Sequence, residues 1–338
     1  MKRILPFFLL LAIILNGCSA IGTAIPDAAN PIVNPVVATL VPLGTPSAQY
    51  GLEVARPLIK DFTKIGQRAA GSERESQTAQ YISDVFKAIG YSPEIQPFTG
   101  TSGNTSISSS NIVALKQGLS SQEIIVGAHY DSAAGALGAD DNASGVAVML
   151  EVAKLVQSAS TLYTIRFIAF GAGESGLMGS YAYLNQMSQE EFENVIAMID
   201  LNSLIAGDIA YAFSDEGQQS VVRDWSLEWA TGNGLNLQTV RDVNLTDPAS
   251  GKGFSDYSPF RDIGIPYVYF TTANWNLGDK KGHTQVDPKY GNQGVIRQTE
   301  YDTLEYLDST FPGRVDDHLN LFISILYNLL TQFEAPIR

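Results

Sequence analysis

The chain has 338 residues, 45% apolar and 17% charged, with a net charge of −14. A chain of that size buries a sizeable core as one large α/β domain or two small ones. Its acidity excludes nucleic acid or an anionic lipid surface as a natural partner, and its single cysteine excludes an intramolecular disulfide.

The first segment reads as an export signal. Met1-Lys2-Arg3 is a basic head, Ile4–Leu15 is an apolar run too short to span a bilayer, and Leu15-Asn16-Gly17-Cys18 resembles a lipobox. Residues 1–17 are therefore expected to be a bacterial lipoprotein signal peptide and Cys18 the lipidated residue. The mature protein would be exported and lipid-anchored to a bacterial membrane, facing the periplasm or the exterior. Cleavage there takes the charge from −14 to −16, because Lys2 and Arg3 leave and no acid goes with them. Residues 18–46, rich in Pro, Ala and Val, read as an extended tether, and 47–338 as one domain without internal repeats.

Helical spacing begins near Ser47, with Leu58, Ile59 and Phe62 on one face, and Gly71-Ser72 opens a second helix that runs up to Gly90. Alternating segments at Pro93–Phe98 and Ser106–Lys116 predict an antiparallel edge. A βα rhythm follows: strand Glu123–Ala128, helix Gly145–Gln157, strand Tyr163–Phe170, helix Leu177–Gln186, strands Val195–Leu201 and Asp208–Phe213, then helix Gln218–Thr231. Strand Ile265–Phe270 and the amphipathic helix Asp316–Phe333 close the chain. The pattern predicts a single α/β domain with a mixed, mostly parallel sheet, covered by helices on both faces and carrying its site at the carboxyl ends of the strands.

The chemistry concentrates in His129–Gly145, HYDSAAGALGADDNASG. At a strand end, period-2 alternation puts His129 and Asp131 on one face, where the carboxylate can orient the ring toward a metal. Asp140-Asp141-Asn142 then offers hard oxygen ligands in a glycine-rich loop before a helix.

With GAGESGLMGS at 171–180, MIDLN at 198–202, SDYSPFRDIGIP at 255–266 and QTEYDTLEYLD at 298–308, these motifs resemble the co-catalytic zinc aminopeptidases, metallopeptidase family twenty-eight, whose cousins are the glutaminyl cyclases. The resemblance covers roughly residues 60–333. It implies a zinc exopeptidase architecture, one or two zinc ions, and the N-termini of peptides or proteins as substrate or ligand. Carried over, it makes His129, Asp141 and Glu174 metal ligands and Asp131 the residue that orients His129.

Three positions depart from the family's pattern. The general-base glutamate falls on Gly173, a ligand aspartate on Asn202 with Asp200 two residues earlier, and the late ligand histidine on Gln298. Asp200 stands ~6.5–7 Å back along its strand. His283, in HTQVDPKY, is the other candidate for the late ligand, and Asp140 and Glu300 are conceivable substitute bases. A carboxylate base typically contributes ~10²–10⁴-fold, so reduced or altered hydrolysis is expected. A catalytically silent pseudopeptidase that binds a peptide or protein partner is the alternative, and a glutaminyl-cyclase-like enzyme a minor one.

Gly171–Gly176 also spells G-x-G-x-x-G, but Glu174 would face a pyrophosphate, so no dinucleotide is expected. No G-x-S-x-G elbow supplies a serine nucleophile.

Overall fold

The protein is described by a computed structural model over residues 52–241, 255–278 and 282–335. The expected signal peptide, Cys18 and the tether lie outside the described residues.

Helix α1 (Ala55–Ile65) buries Ala55, Leu58, Ile59 and Phe62, a spacing of three and four that puts one face on the core. Its orphan donors at Val54 and Ala55 are taken by one oxygen of Glu151, at 2.7 and 2.8 Å, so a buried acid from another helix closes the helix start. Helix α2 (Glu73–Ala88) begins where the Ser72 hydroxyl accepts the Glu75 N–H, which is the cap that Gly71-Ser72 predicts.

Strands β1 (Glu94–Ser102) and β2 (Thr105–Lys116) form the predicted antiparallel edge. Then come β3 (Ser120–His129), α3 (Gly145–Val156), β4 (Tyr163–Phe170), α4 (Met178–Gln186), α5 (Gln189–Asn194), β5 (Val195–Leu201), β6 (Ile209–Phe213), α6 (Val221–Gly232), β7 (Leu237–Gln238), α7 (Ser258–Asp262), β8 (Tyr267–Ala273), α8 (Leu304–Thr310) and α9 (Arg314–Gln332). The strand order in the single sheet is β1-β2-β4-β3-β5-β8-β6-β7. Its centre, β4-β3-β5-β8, is parallel, and antiparallel pairs flank that centre on both sides.

The parallel strands are apolar on both faces, because helices cover both. Ile124, Val126, Phe167 and Ile199 pack beneath α1, α2, α3 and α9, whereas Ile125, Phe170, Met198 and Tyr267 pack toward α4 and α7. The first residue of α3 must be small: a Cβ on Gly145 would stand 2.3 Å from the Leu201 carbonyl oxygen. That close approach seats α3 against the end of β5. The short helices α5, α7 and α8 and the two-residue β7 carry too few residues to show a period, so pattern alone does not reveal them. The last parallel strand begins at Tyr267 rather than Ile265, because the Ile265 N–H closes the α7 turn onto Phe260.

Candidate metal centre

Four segments converge where the parallel strands end. Strand β3 delivers His129, the turn before α3 delivers Asp141, the loop after β4 delivers Glu174, and the segment before α8 delivers Gln298. Ligand atoms of His129, Asp141 and Glu174 all lie within 4.8 Å of one another.

Asp131 organises this cluster. It is fully buried, and one of its oxygens lies 3.2 Å from His129 Nδ1. Its two oxygens also accept the backbone N–H groups of Gly173 at 2.8 Å and Glu174 at 3.0 Å. One carboxylate therefore sets both the ring and the loop that carries the next ligand. With a proton on Nδ1 toward Asp131, the Nε2 lone pair points into the cluster, 3.3 Å from Asp141 Oδ1.

The Asp141 loop is braced from behind. Asp302 accepts the Asp140 and Asp141 N–H groups at 2.5 and 3.1 Å. Arg68, buried and stacked over Phe62, donates to the carbonyls of Tyr130, Leu137 and Gly138 at 2.9, 2.7 and 3.0 Å. Asp140 turns away from the cluster, accepting from Ile205 N, Ala206 N and Gln285 Nε2 at 2.8, 3.0 and 2.7 Å. Those three donors hold Asp140 facing away from the cluster, where it braces the Ile205–Ala206 backbone and Gln285. Glu300 is exposed. Pattern reading missed Arg68, Gln285 and Asp302; only the place of Asp302 inside QTEYDTLEYLD pointed at it.

The expected ligand positions fall into two groups. Gln298 reaches the cluster, its amide donating to both oxygens of Glu174 at 3.1 and 2.8 Å. Asp200 and Asn202 turn toward the segment before α7: Asp200 accepts the Tyr257 N–H at 3.0 Å, and the Asn202 amide donates to the Ser255 hydroxyl at 2.9 Å. His283 is exposed, and neither it nor Asp200 belongs to the three-residue metal-ligating group found among the described residues. Gly173 stands directly against His129: a Cβ there would lie 2.5 Å from His129 Cβ and 2.7 Å from Cγ. The position where a base would stand has no room for a side chain with the ring as it is.

The electrostatics fit a cation. Burial, with Asp141 beside it, pushes the Glu174 carboxyl up to about 8. Burial also raises Asp141, but the bond to His129 overrides this and holds it below its usual range. For His129, burial lowers the pKa, and the bonds to Asp131 and Asp141 more than reverse that, holding it well above its usual value. Acids thus outnumber bases around one nitrogen, which is the condition a divalent ion relieves. One imidazole and two carboxylates also match a zinc site that keeps a position open.

A mostly parallel α/β sheet with a histidine-carboxylate cluster at its carboxyl edge defines an α/β metallohydrolase-like protein. The model of peptidase family M28 matches residues 111–323. Among curated proteins, the chain is 29% identical over 294 residues to the alkaline phosphatase isozyme conversion protein of Escherichia coli K12, covering 78% of this chain and 85% of that one. It is 32% identical over 239 residues to aminopeptidase YwaD of Bacillus subtilis 168, covering 69% of this chain and 47% of that one. Among solved structures it shares its fold with the aminopeptidase from Aneurinibacillus sp. strain AM-1, at a TM-score of 0.66 and 18% identity, over 86% of this chain and 96% of that one. A Porphyromonas gingivalis glutaminyl cyclase has the same fold, at a TM-score of 0.61 and 18% identity, over 84% and 99% of the two chains. The chain belongs to peptidase family M28, as an aminopeptidase-like metallopeptidase.

Proposed function

We propose that this chain is an exported, lipid-anchored zinc protein that takes the N-termini of peptides and hydrolyses them slowly. The observation that carries the reading is the convergence of His129, Asp141 and Glu174 within 4.8 Å. A zinc ion on those three residues would polarise a scissile carbonyl and acidify a water. The chain's own part is to fix the donors. Asp131 holds Nδ1 of His129 and the backbone of Gly173 and Glu174, while Asp302 and Arg68 hold the loop of Asp141. No carboxylate stands at position 173 to take a proton, so the rate falls by ~10²–10⁴-fold against a site that has one.

The test is metal content by plasma mass spectrometry on the full-length chain, purified in detergent without chelator, with turnover of leucine p-nitroanilide on the same sample. About one zinc per chain with slow turnover supports the reading, and a metal-free chain overturns it. A second reading, a silent peptide-binding pseudopeptidase, is favoured by the Gln298 amide resting on Glu174 and by the crowding at Gly173. Zinc and peptide binding without any turnover would select it. A glutaminyl-cyclase-like activity is a minor third reading, which conversion of an N-terminal glutamine peptide would reveal.

The Leu15–Cys18 motif and the apolar run before it support the lipid anchor. Radiolabelled palmitate should enter the wild-type chain and not Cys18→Ser. Equal labelling of both would place the lipid elsewhere.

A further inference from the structure

Away from the metal cluster, β1, β2 and the start of α2 line a cavity of about 580 Å³ that is open to solvent. That volume lies within the range of small-molecule sites and is far larger than one ion needs. Ile95, Pro97 and Phe98 give it an apolar wall; Ser109, Tyr130 and the carboxylate of Glu75 give it a polar one.

Glu75 is 2% exposed. Its Oε1 accepts the Ser109 hydroxyl at 2.7 Å and the Ala172 N–H at 2.9 Å, and its Oε2 accepts the Gly71 N–H at 2.5 Å. Three donors aimed at one carboxyl group, at the N-terminal turn of α2, are the environment of an ionised acid. Yet among the described residues no Lys, Arg or His lies within 4.0 Å of it, the reach of an ion pair. A buried carboxylate is ordinarily paired. Here its missing partner has a place to stand, because the cavity opens beside the acid and Oε2 carries only one of the donors it can accept.

We propose that this cavity is a second ligand site that binds a small organic ammonium with a short apolar arm, its charge on Glu75 and its hydrocarbon on Ile95, Pro97 and Phe98. The ammonium's donors match what the wall leaves open, the second lone pair of Glu75 Oε2. Burial without a cation pushes the Glu75 carboxyl up to about 7, which agrees with a site completed from outside. The Ala172 N–H that Glu75 holds lies two residues before Glu174, so the cavity backs onto the loop that carries a metal-cluster acid. The site does not depend on the proposed zinc chemistry.

Calorimetry on the full-length chain at pH 8 tests this with n-butylamine, 1-butanol and butyrate as probes. The amine should bind at least tenfold more tightly than the alcohol, and butyrate should not bind. Glu75→Gln, which removes the charge, and Thr99→Trp, an exposed β1 residue whose larger side chain fills the cavity wall, should each weaken amine binding at least tenfold. Thr99→Trp keeps the test decisive if Glu75→Gln disturbs folding. His129→Ala should leave amine binding unchanged; a loss there would mean that the amine reads the metal cluster. That loss, equal binding of 1-butanol, or unchanged amine binding in Thr99→Trp would overturn the proposal.

Discussion

Gln298 places its side-chain amide on both oxygens of Glu174, at 3.1 and 2.8 Å, so a neutral donor rests on an acid of the metal cluster. An amide nitrogen is no metal ligand, whereas an imidazole at the same place would be one. Gln298→His should therefore raise zinc affinity by about 10- to 100-fold, a range typical of changes at and around metal ligands. Competition with a fluorescent chelator measures it, and an unchanged constant would mean that position 298 touches Glu174 without reaching the ion.

Asp131 holds one ring nitrogen and two backbone donors. Asp131→Asn keeps the size but turns one acceptor into a donor, which opposes either the Glu174 N–H or the Gly173 N–H together with His129 Nδ1. Zinc affinity should fall about 10- to 100-fold, while Asp84→Asn, on the exposed face of α2, should leave it unchanged. Equal losses in the two variants would remove the special role of Asp131.

At Gly173 the crowding makes a clear demand. A methyl group 2.5 Å from His129 Cβ forces the ring to move, so Gly173→Ala should destabilise the chain by about 1–3 kcal/mol and weaken zinc binding. Gly173→Glu, which restores a carboxylate in name, should not by itself restore fast turnover. A gain of tenfold or more in leucine p-nitroanilide hydrolysis by Gly173→Glu would show that the ring yields and that the absent base alone limits the rate.

Glu75 sets a pH dependence. Its folded pKa, raised from 4.5 to about 7 by burial against the bonds from Ser109, Gly71 and Ala172, means that the folded chain holds the proton more tightly than the unfolded one. Stability from this group is therefore fullest below pH 4.5 and is lost as pH rises toward 7. The total loss across that window amounts to roughly 3 kcal/mol. Asp131, whose charge also raises Glu75, and Tyr130 are the other titratable groups nearby. Melting temperatures of wild type and Glu75→Gln between pH 4.5 and 8 should converge at the acid end only if the substitution is otherwise harmless; the informative quantity is the slope, which should be flatter in Glu75→Gln. Parallel slopes would refute this titration.

Sequence by itself determined the layered α/β fold, because apolar β-branched runs alternating with helical periods can bury both faces of a sheet in few other ways. It also determined the capped start of α2 at Ser72 and the strand-end position of His129 with Asp131, since these rest on local hydrogen bonding and on period-2 geometry. The rest was decided by contacts between residues far apart in the chain. Whether Gln298 or His283 meets Glu174 depends on how the 282–303 segment folds back across 124 residues of sequence separation. That Gly173 has no room for a side chain follows from the approach of β3 to the loop after β4, and that Glu75 is buried beside an open cavity follows from packing α2 against the β1-β2 hairpin. Pattern reports which face a residue takes; only packing reports what stands opposite it.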